Sequence, residues 1–231
     1  MKAGNVRILG IDEAGRGCVI GPLVVAGVLI DESNRPKLLE LGVKDSKLLS
    51  HSRREQLAED VKQIAISVHI IKLQPAEIDK AVSSNRKLHK LNRLEAQTMA
   101  KVIEVLKPDV AIVDASDVLA DRYKQHIKER LSFPVQIISE HKADRNHPVV
   151  SAASIIAKVE RDREIEILKA KNGDFGSGYM TDDKTAIFLE TLAKECVEYP
   201  DFVRRSWKPA KAAKAKAKTK QTRLHEKMVK A

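Results

Sequence analysis

Five short runs rich in valine, isoleucine and leucine most constrain the fold open to this chain: Val6–Ile11, Leu23–Ile30, Ile66–Leu73, Val110–Val113 and Val135–Ser139. Short apolar runs set between helical segments are the pattern of strands buried in a sheet. The helical segments are legible too. Ser52 with Glu55 forms a capping box, and Leu57, Val61 and Ile64 follow at helical spacing. Leu94, Thr98, Val102, Val105 and Leu106 mark a second helix, which Pro108 closes. A long helix opens near Pro148 and runs to about Lys169, with the small residues Ser151, Ala152, Ala153 and Ser154 along it. Gly173–Gly178 breaks it, and Leu189, Leu192, Ala193 and Cys196 define a last one. Three strands with one helix among them, followed by alternating helix and strand, predict a mixed α/β sheet with helices on both faces.

Composition bounds the class. With 43% apolar and 32% charged residues the chain reads as a soluble globular protein. No run approaches the roughly 18 apolar residues of a membrane span. The N-terminal residues lack the apolar stretch of a signal peptide, so a cytoplasmic location is expected. Cys18 and Cys196 fit no metal spacing and read as reduced thiols, Cys18 as a small space-filler. The net charge of +10 is unevenly spread: residues 208–231 hold nine Lys or Arg and one acid, Glu226. The expected organisation is a body over 1–207 and a basic, flexible tail over 208–231. Such a tail adds salt-dependent attraction to nucleic acid phosphates, or serves solubility alone.

The chemistry concentrates where the first run ends, in Asp12-Glu13-Ala14-Gly15-Arg16-Gly17. Paired carboxylates suit hard cations such as Mg²⁺, and the glycines allow backbone N–H groups close to a ligand. Ligands of open sheets gather at the carboxyl ends of neighbouring parallel strands. Asp12 closes the first run, Asp114 the fourth, and Asp144 precedes the helix near Pro148. Glu13 joins them only if the chain has begun to turn at Ala14-Gly15, because strand neighbours point to opposite faces. Two carboxylates about 5 Å apart repel by roughly 3 kcal/mol at an effective dielectric near 20. A cluster of them therefore implies cations.

These residues, with Asp45-Ser46-Lys47, Val113-Asp114-Ala115-Ser116, His141-Lys142-Ala143-Asp144, Pro148 through Lys158, Gly176-Ser177-Gly178-Tyr179 and Val203-Arg204-Arg205-Ser206-Trp207, resemble a type 2 ribonuclease H (ribonuclease HII) of archaeal kind. The resemblance runs from about residue 6 to 207 in family order. It implies a ribonuclease H-like mixed five-stranded sheet flanked by helices, with a small helical C-terminal region. It also implies hydrolysis of the RNA strand of RNA–DNA hybrids, including 5′ of single ribonucleotides in duplex DNA. Carried over by position, Asp12, Glu13, Asp114 and Asp144 would be both the catalytic and the metal-holding residues, for Mg²⁺ or Mn²⁺. Gly15, Arg16, Gly17, Lys47 and Tyr179 would bind substrate, with Tyr179 stacking on the neighbouring deoxyribose.

Two positions depart from the family pattern: Met180 stands where proline is expected, and His147 where an aromatic is usual. Lys158 and Arg161 read equally as phosphate ligands or as a solvated helix face. In the tail, Gln221 and Leu224 have the spacing of a sliding-clamp motif but lack its paired aromatics, so clamp binding is not the expected role. A monomer is expected. The alternative reading is a non-catalytic nucleic-acid-binding module on the same fold; four carboxylates beside a phosphate path would weaken such a binder.

Overall fold

The alternation of apolar residues along each run decides how the strands stack. A computed structural model describes residues 6–43, 50–84 and 90–229, the side chains of 220–229 excepted. Among the described residues the five runs become β1 (Arg7–Ala14), β2 (Leu23–Asp31), β3 (Ser67–Leu73), β4 (Val110–Asp114) and β5 (Gln136–Glu140). They form one sheet in the order β3-β2-β1-β4-β5. β2 runs antiparallel to both β1 and β3, whereas β1, β4 and β5 are parallel. The expected mixed sheet is present. The helices in chain order are α1 (Arg35–Glu40), α2 (His51–Ile64), α3 (Pro75–Val82), α4 (Lys90–Leu106), α5 (Ala120–Lys128), α6 (Ala143–Asn146), α7 (Pro148–Asn172), α8 (Asp183–Glu195) and α9 (Lys208–Val229).

The chain divides into two compact units, the first covering Met1–Arg16, Leu23–Leu73 and Arg86–Asp162. It contains the whole sheet. Ile8, Val24, Ala26 and Val28 point to one face, where Leu38, Leu57, Val61, Val150 and Ala153 cover them. Leu9, Ile11, Val25 and Leu29 point to the other, against Met99, Val102 and Ile103 of α4 and Tyr123 and Ile127 of α5. Helices on both faces are what a sheet buried on both sides requires. Gly10 sets how closely α7 approaches: a Cβ there would lie 2.3 Å from the Val149 carbonyl carbon. The first turn of α7 thus rests on the bare backbone of β1, two residues before Asp12.

The α2 start corrects one expectation. Ser50, not Ser52, is the N-cap, and its hydroxyl accepts from the Arg53 N–H at 3.3 Å. Both serines have the chemistry to cap; the helix begins two residues earlier than the Ser52–Glu55 pattern indicates.

The second unit covers Gly17–Pro22, Gln74–Asn85 and Arg163–Ala231. Its core joins Ile20, Ile165, Phe175, Leu189, Tyr199 and Val203, with Phe175 stacked on Phe202 at 6.3 Å. Arg204 is fully buried and satisfied: Nε donates to the Gly21 carbonyl at 3.1 Å, Nη2 lies 3.2 Å from Cys18 Sγ, and the guanidinium sits 5.0 Å from the Trp207 ring. Cys18 and Cys196 are free thiols. The segment from 208, expected as a flexible tail, is helical instead. Ala210 and Ala217 of α9 are buried in this core, and Tyr199 donates its hydroxyl to the Ala210 carbonyl at 3.0 Å. Alternating lysine and alanine is a strong helix-forming composition, and the alanine stripe gives α9 a face to bury.

Candidate active site

β1 and β4 lie side by side and parallel, with Ile11 registered opposite Val113. Asp12 and Asp114 each follow one residue later, Asp114 as the last residue of β4 and Asp12 two residues before the end of β1. Asp12 is buried and accepts a hydrogen bond from the Ser154 hydroxyl of α7 and another from the Glu13 N–H at 2.7 Å. Burial pushes its carboxyl well above the usual range, and the charges of Glu13 and Asp114 push the same way. Asp114 is raised too, first by burial and then by the Asp144 charge, while the backbone N–H groups of Ala143 and Lys142 oppose the rise. Asp144 is placed by the left-handed Lys142 (φ +58°), which turns the chain from β5 into α6. Ser151 of α7 donates to the Asp144 carbonyl and fixes that turn.

Glu13 is where expectation and structure part. The chain has not begun to turn: β1 continues through Ala14, with Glu13 paired to Val25. Glu13 accordingly projects to the opposite face from Asp12, toward α4. Its Oε1 accepts from the Ser116 hydroxyl at 2.6 Å, whereas the buried Oε2 has no hydrogen-bond partner among the described residues. Burial raises its carboxyl to about 8, and the charges of Glu95 and Asp114 add to that rise. Asp114, at the strand end, acts electrostatically on Asp12 and Glu13 alike.

A pH dependence follows. An unfolded Glu13 releases its proton near 4.5, whereas the folded protein retains it to about 8. The folded state therefore binds the extra proton between those values, and stability falls as pH rises through that window. Without divalent ions the melting temperature should drop between pH 5 and pH 8.5, reflecting a loss on the order of a few kcal/mol. Calorimetry in chelator checks this; a flat or rising melting temperature contradicts the buried carboxyl.

The residues present suit a hard cation. A buried carboxylate oxygen with no donor, beside two further raised carboxyls, is a donor set that only a cation or a proton satisfies. Among the described residues no three such side chains close tightly enough to enclose an ion by themselves. Mg²⁺ does not require enclosure: it is held by one or two carboxylates, with waters and substrate phosphates completing its shell.

The remaining sequence candidates separate. Gly15 adopts φ +83°, the left-handed region that a side chain resists. Arg16 is held against α4, with Nε 2.9 Å from Glu95 Oε1 and Nη2 donating to Asn92 Oδ1 at 2.8 Å. Gly17 and Tyr179 meet within the second unit, where a Cβ on Gly17 would lie 3.8 Å from the tyrosine ring. The loop presenting Tyr179 is tied down despite Met180 in place of proline. Asp182 accepts from the Ser177 N–H at 2.6 Å, Thr185 accepts from the Gly178 N–H at 2.9 Å, and the Gly178 carbonyl accepts from Val19 at 2.8 Å. Lys47, with Asp45 and Ser46, lies outside the described residues. Lys158 is not a solvated lysine: its ammonium donates to Ser154 Oγ at 2.9 Å, behind Asp12. Arg161 is buried and pairs with Asp162 at 3.2 Å. His147 meets Glu140 at 3.0 Å, and His141 faces the Ala115 carbonyl at 3.3 Å.

The family model of ribonuclease HII matches residues 9–210, which takes in every one of these positions. The chain belongs to the ribonuclease HII family. It is thus a ribonuclease H hydrolase, an endonuclease. The ribonuclease H2 of Pyrococcus horikoshii OT3 superposes with a TM-score of 0.85 at 42% identity, over 92% of this chain and 99% of that one. The ribonuclease HII of Archaeoglobus fulgidus, solved in complex with PCNA, gives 0.80 at 45% identity, over 88% and 96%. Bst-RNase HIII in complex with Mn²⁺ gives 0.71 at 25% identity, over 94% and 72%. The mixed sheet is the ribonuclease H-like one. No helix among the described residues is long and apolar enough to cross a membrane.

Sequence reasoning passed over Asn92, Glu95 and Asp117, and placed Ser116 and Ser154 in motifs without giving either a role beside the carboxylates. One signal was readable: Glu95 occupies the stripe of Ala96, Met99, Val102 and Ile103 on α4, where a carboxylate is rarely left without a purpose.

Proposed function

We propose that this ribonuclease HII cuts the RNA strand of RNA–DNA hybrids, and the 5′ side of single ribonucleotides in duplex DNA, leaving a 5′-phosphate and a 3′-hydroxyl. The observation that carries this reading is the placement of Asp12 and Asp114 on adjacent parallel strands, near enough for the Asp114 charge to act on Asp12, with the buried Glu13 oxygen lacking a donor. Asp12, Glu13, Asp114 and Asp144 would hold Mg²⁺ or Mn²⁺; the Mn²⁺ complex of the related RNase HIII supports that choice. Held there, a pair of such ions would supply hydroxide at neutral pH and charge stabilisation for the leaving 3′ oxygen. The protein's own part is to fix the carboxylates. Ser154, itself bonded by Lys158, orients Asp12; Ser116 orients Glu13; the α6 backbone orients Asp114.

Choosing RNA over DNA falls to groups that sense the 2′-hydroxyl. Gly15, Arg16 and Gly17 would meet the ribonucleotide, and Lys47 a phosphate. Tyr179 would stack on the next deoxyribose, where a second hydroxyl is resisted. Nucleic acid is the principal partner, in the cytoplasm, and the enzyme acts as a monomer. The A. fulgidus relative is solved with PCNA, but here Gln221 and Leu224 precede Lys227-Met228 rather than paired aromatics, so clamp binding stays secondary. The test is a duplex carrying one ribonucleotide, incubated with and without Mg²⁺. A single metal-dependent nick 5′ of the ribonucleotide is expected; an intact duplex under both conditions rejects the reading.

A further inference from the structure

Arg16 is usually the kind of residue read as a phosphate fork. Here its Nε–Nη2 edge is already engaged by two residues of one helix turn. Nε lies 2.9 Å from Glu95 Oε1 and donates to Oε2 at 3.2 Å, while Nη2 donates to Asn92 Oδ1 at 2.8 Å. Asn92 and Glu95 stand three apart on α4 and share a face. Glu95 is fully buried, so losing Arg16 would leave a buried carboxylate without this cation beside it.

The polarity of this clamp is fixed from behind. Asn92 donates its Nδ2 to Asp117 Oδ2 at 3.0 Å. Asp117 has a fully buried side chain and accepts also from Arg122 Nε at 3.0 Å, from Arg122 Nη2, and from the Leu119 N–H at 3.0 Å. Burial alone would raise the Asp117 carboxyl, but these donors outweigh it and hold it well below the usual range. An ionised carboxylate only accepts, so Asn92 must turn its NH₂ toward Asp117 and its oxygen toward Arg16. Flipping the amide would break both bonds. The chain Arg122–Asp117–Asn92–Arg16 is therefore directional, and its Asp117 link is fully buried even though the two arginines at its ends are 31% and 40% exposed.

We propose that Asn92 and Glu95 are positioning residues for ribonucleotide discrimination, which lock the Arg16 guanidinium against α4 and so preset the left-handed Gly15 turn that meets the substrate. Arg16 then acts chiefly as an anchor for its own backbone. The proposal rests on the assignment of this turn to substrate recognition above, and it names residues that assignment did not include.

The experiment uses the full chain with Asn92→Ala, Glu95→Gln and Arg16→Lys. Binding is read by fluorescence anisotropy in chelator, on two duplexes of one sequence, with and without a single ribonucleotide. Steady-state cleavage with Mg²⁺ gives kcat and KM, and thermal melts confirm folding. Each variant should reduce the preference for the ribonucleotide duplex about tenfold and raise KM similarly, with kcat changed less than about threefold. Asn92→Ala placed in the Arg16→Lys background should add less than about twofold, because both break one clamp. Full preference retained by a folded Asn92→Ala overturns the proposal, as does an equal loss on both duplexes or a loss confined to kcat. Should Glu95→Gln fail to fold, Asn92→Ala decides alone. A wild-type protein that prefers the ribonucleotide duplex but never nicks it would defeat the catalytic reading and leave this one standing on its binding data.

Discussion

Asp114→Asn should lower metal-dependent cleavage by at least about a thousandfold, near 4 kcal/mol of barrier, while raising the melting temperature of the metal-free protein. The two effects have one cause. Asp114 sits beside Asp12 at the end of β4, and burial together with the Asp144 charge makes its ionised form costly. Asparagine keeps an oxygen that can accept from the Ala143 N–H, now 3.4 Å away, and discards the charge. Repulsion among the carboxylates then weakens, and the chelated protein should gain about 1 kcal/mol, or about 3 °C. The same substitution removes an anionic ligand from whatever cation the cluster holds, so the stabilisation by added Mg²⁺ should shrink. Cleavage assays and paired melts at pH 8 check the prediction. Retained turnover removes Asp114 from the chemistry; a lower melting temperature in chelator would mean its carboxylate is structurally required.

Gly10→Ala should destabilise the protein by about 3 kcal/mol, the upper part of the range for overpacking, and lower its melting temperature by about 9 °C. The methyl group would need to occupy space 2.3 Å from the Val149 carbonyl carbon and oxygen and 2.6 Å from the Val150 nitrogen. These are backbone atoms at the start of α7, which no rotamer change can move aside. The helix must retreat from β1. α7 carries Ser154, the donor to Asp12, and Ser151, which holds the Asp144 turn, so cleavage should fall in the folded fraction as well. Thermal melts with cleavage measured well below the transition separate the two losses. A melting temperature within about 2 °C of wild type would show that α7 can shift at little cost.

Much of this was legible in the residues. All five apolar runs are strands, within one residue at each end except that β1 runs three residues further, to Ala14. Val110–Asp114 reads cleanly because a short, wholly apolar run between helices has few other uses. Asp12, Glu13 and Asp114 fall in the last residues of two adjacent strands and Asp144 at a helix start. Less legible were α3, α5 and α9, whose burial depends on small or scattered apolar faces. The lysine-rich segment shows why: charge along a chain reports solvation, whereas Ala210 and Ala217 pack only because Tyr199 and its neighbours offer a surface.

The chain's own pattern determined the strands, the two-sided burial of the sheet and the identity of the carboxylates, because period, apolarity and motif spacing are local properties. Only the tertiary structure decided that β1 and β4 are neighbours, that Glu13 projects to the face opposite Asp12 and bonds Ser116, and that Arg16 is anchored by Asn92 and Glu95. Those facts depend on contacts between residues some 75 to 100 positions apart in sequence, between Arg16 and Asn92 or Glu13 and Ser116. Such contacts follow from which faces pack together, a choice made by the whole core rather than by any single segment.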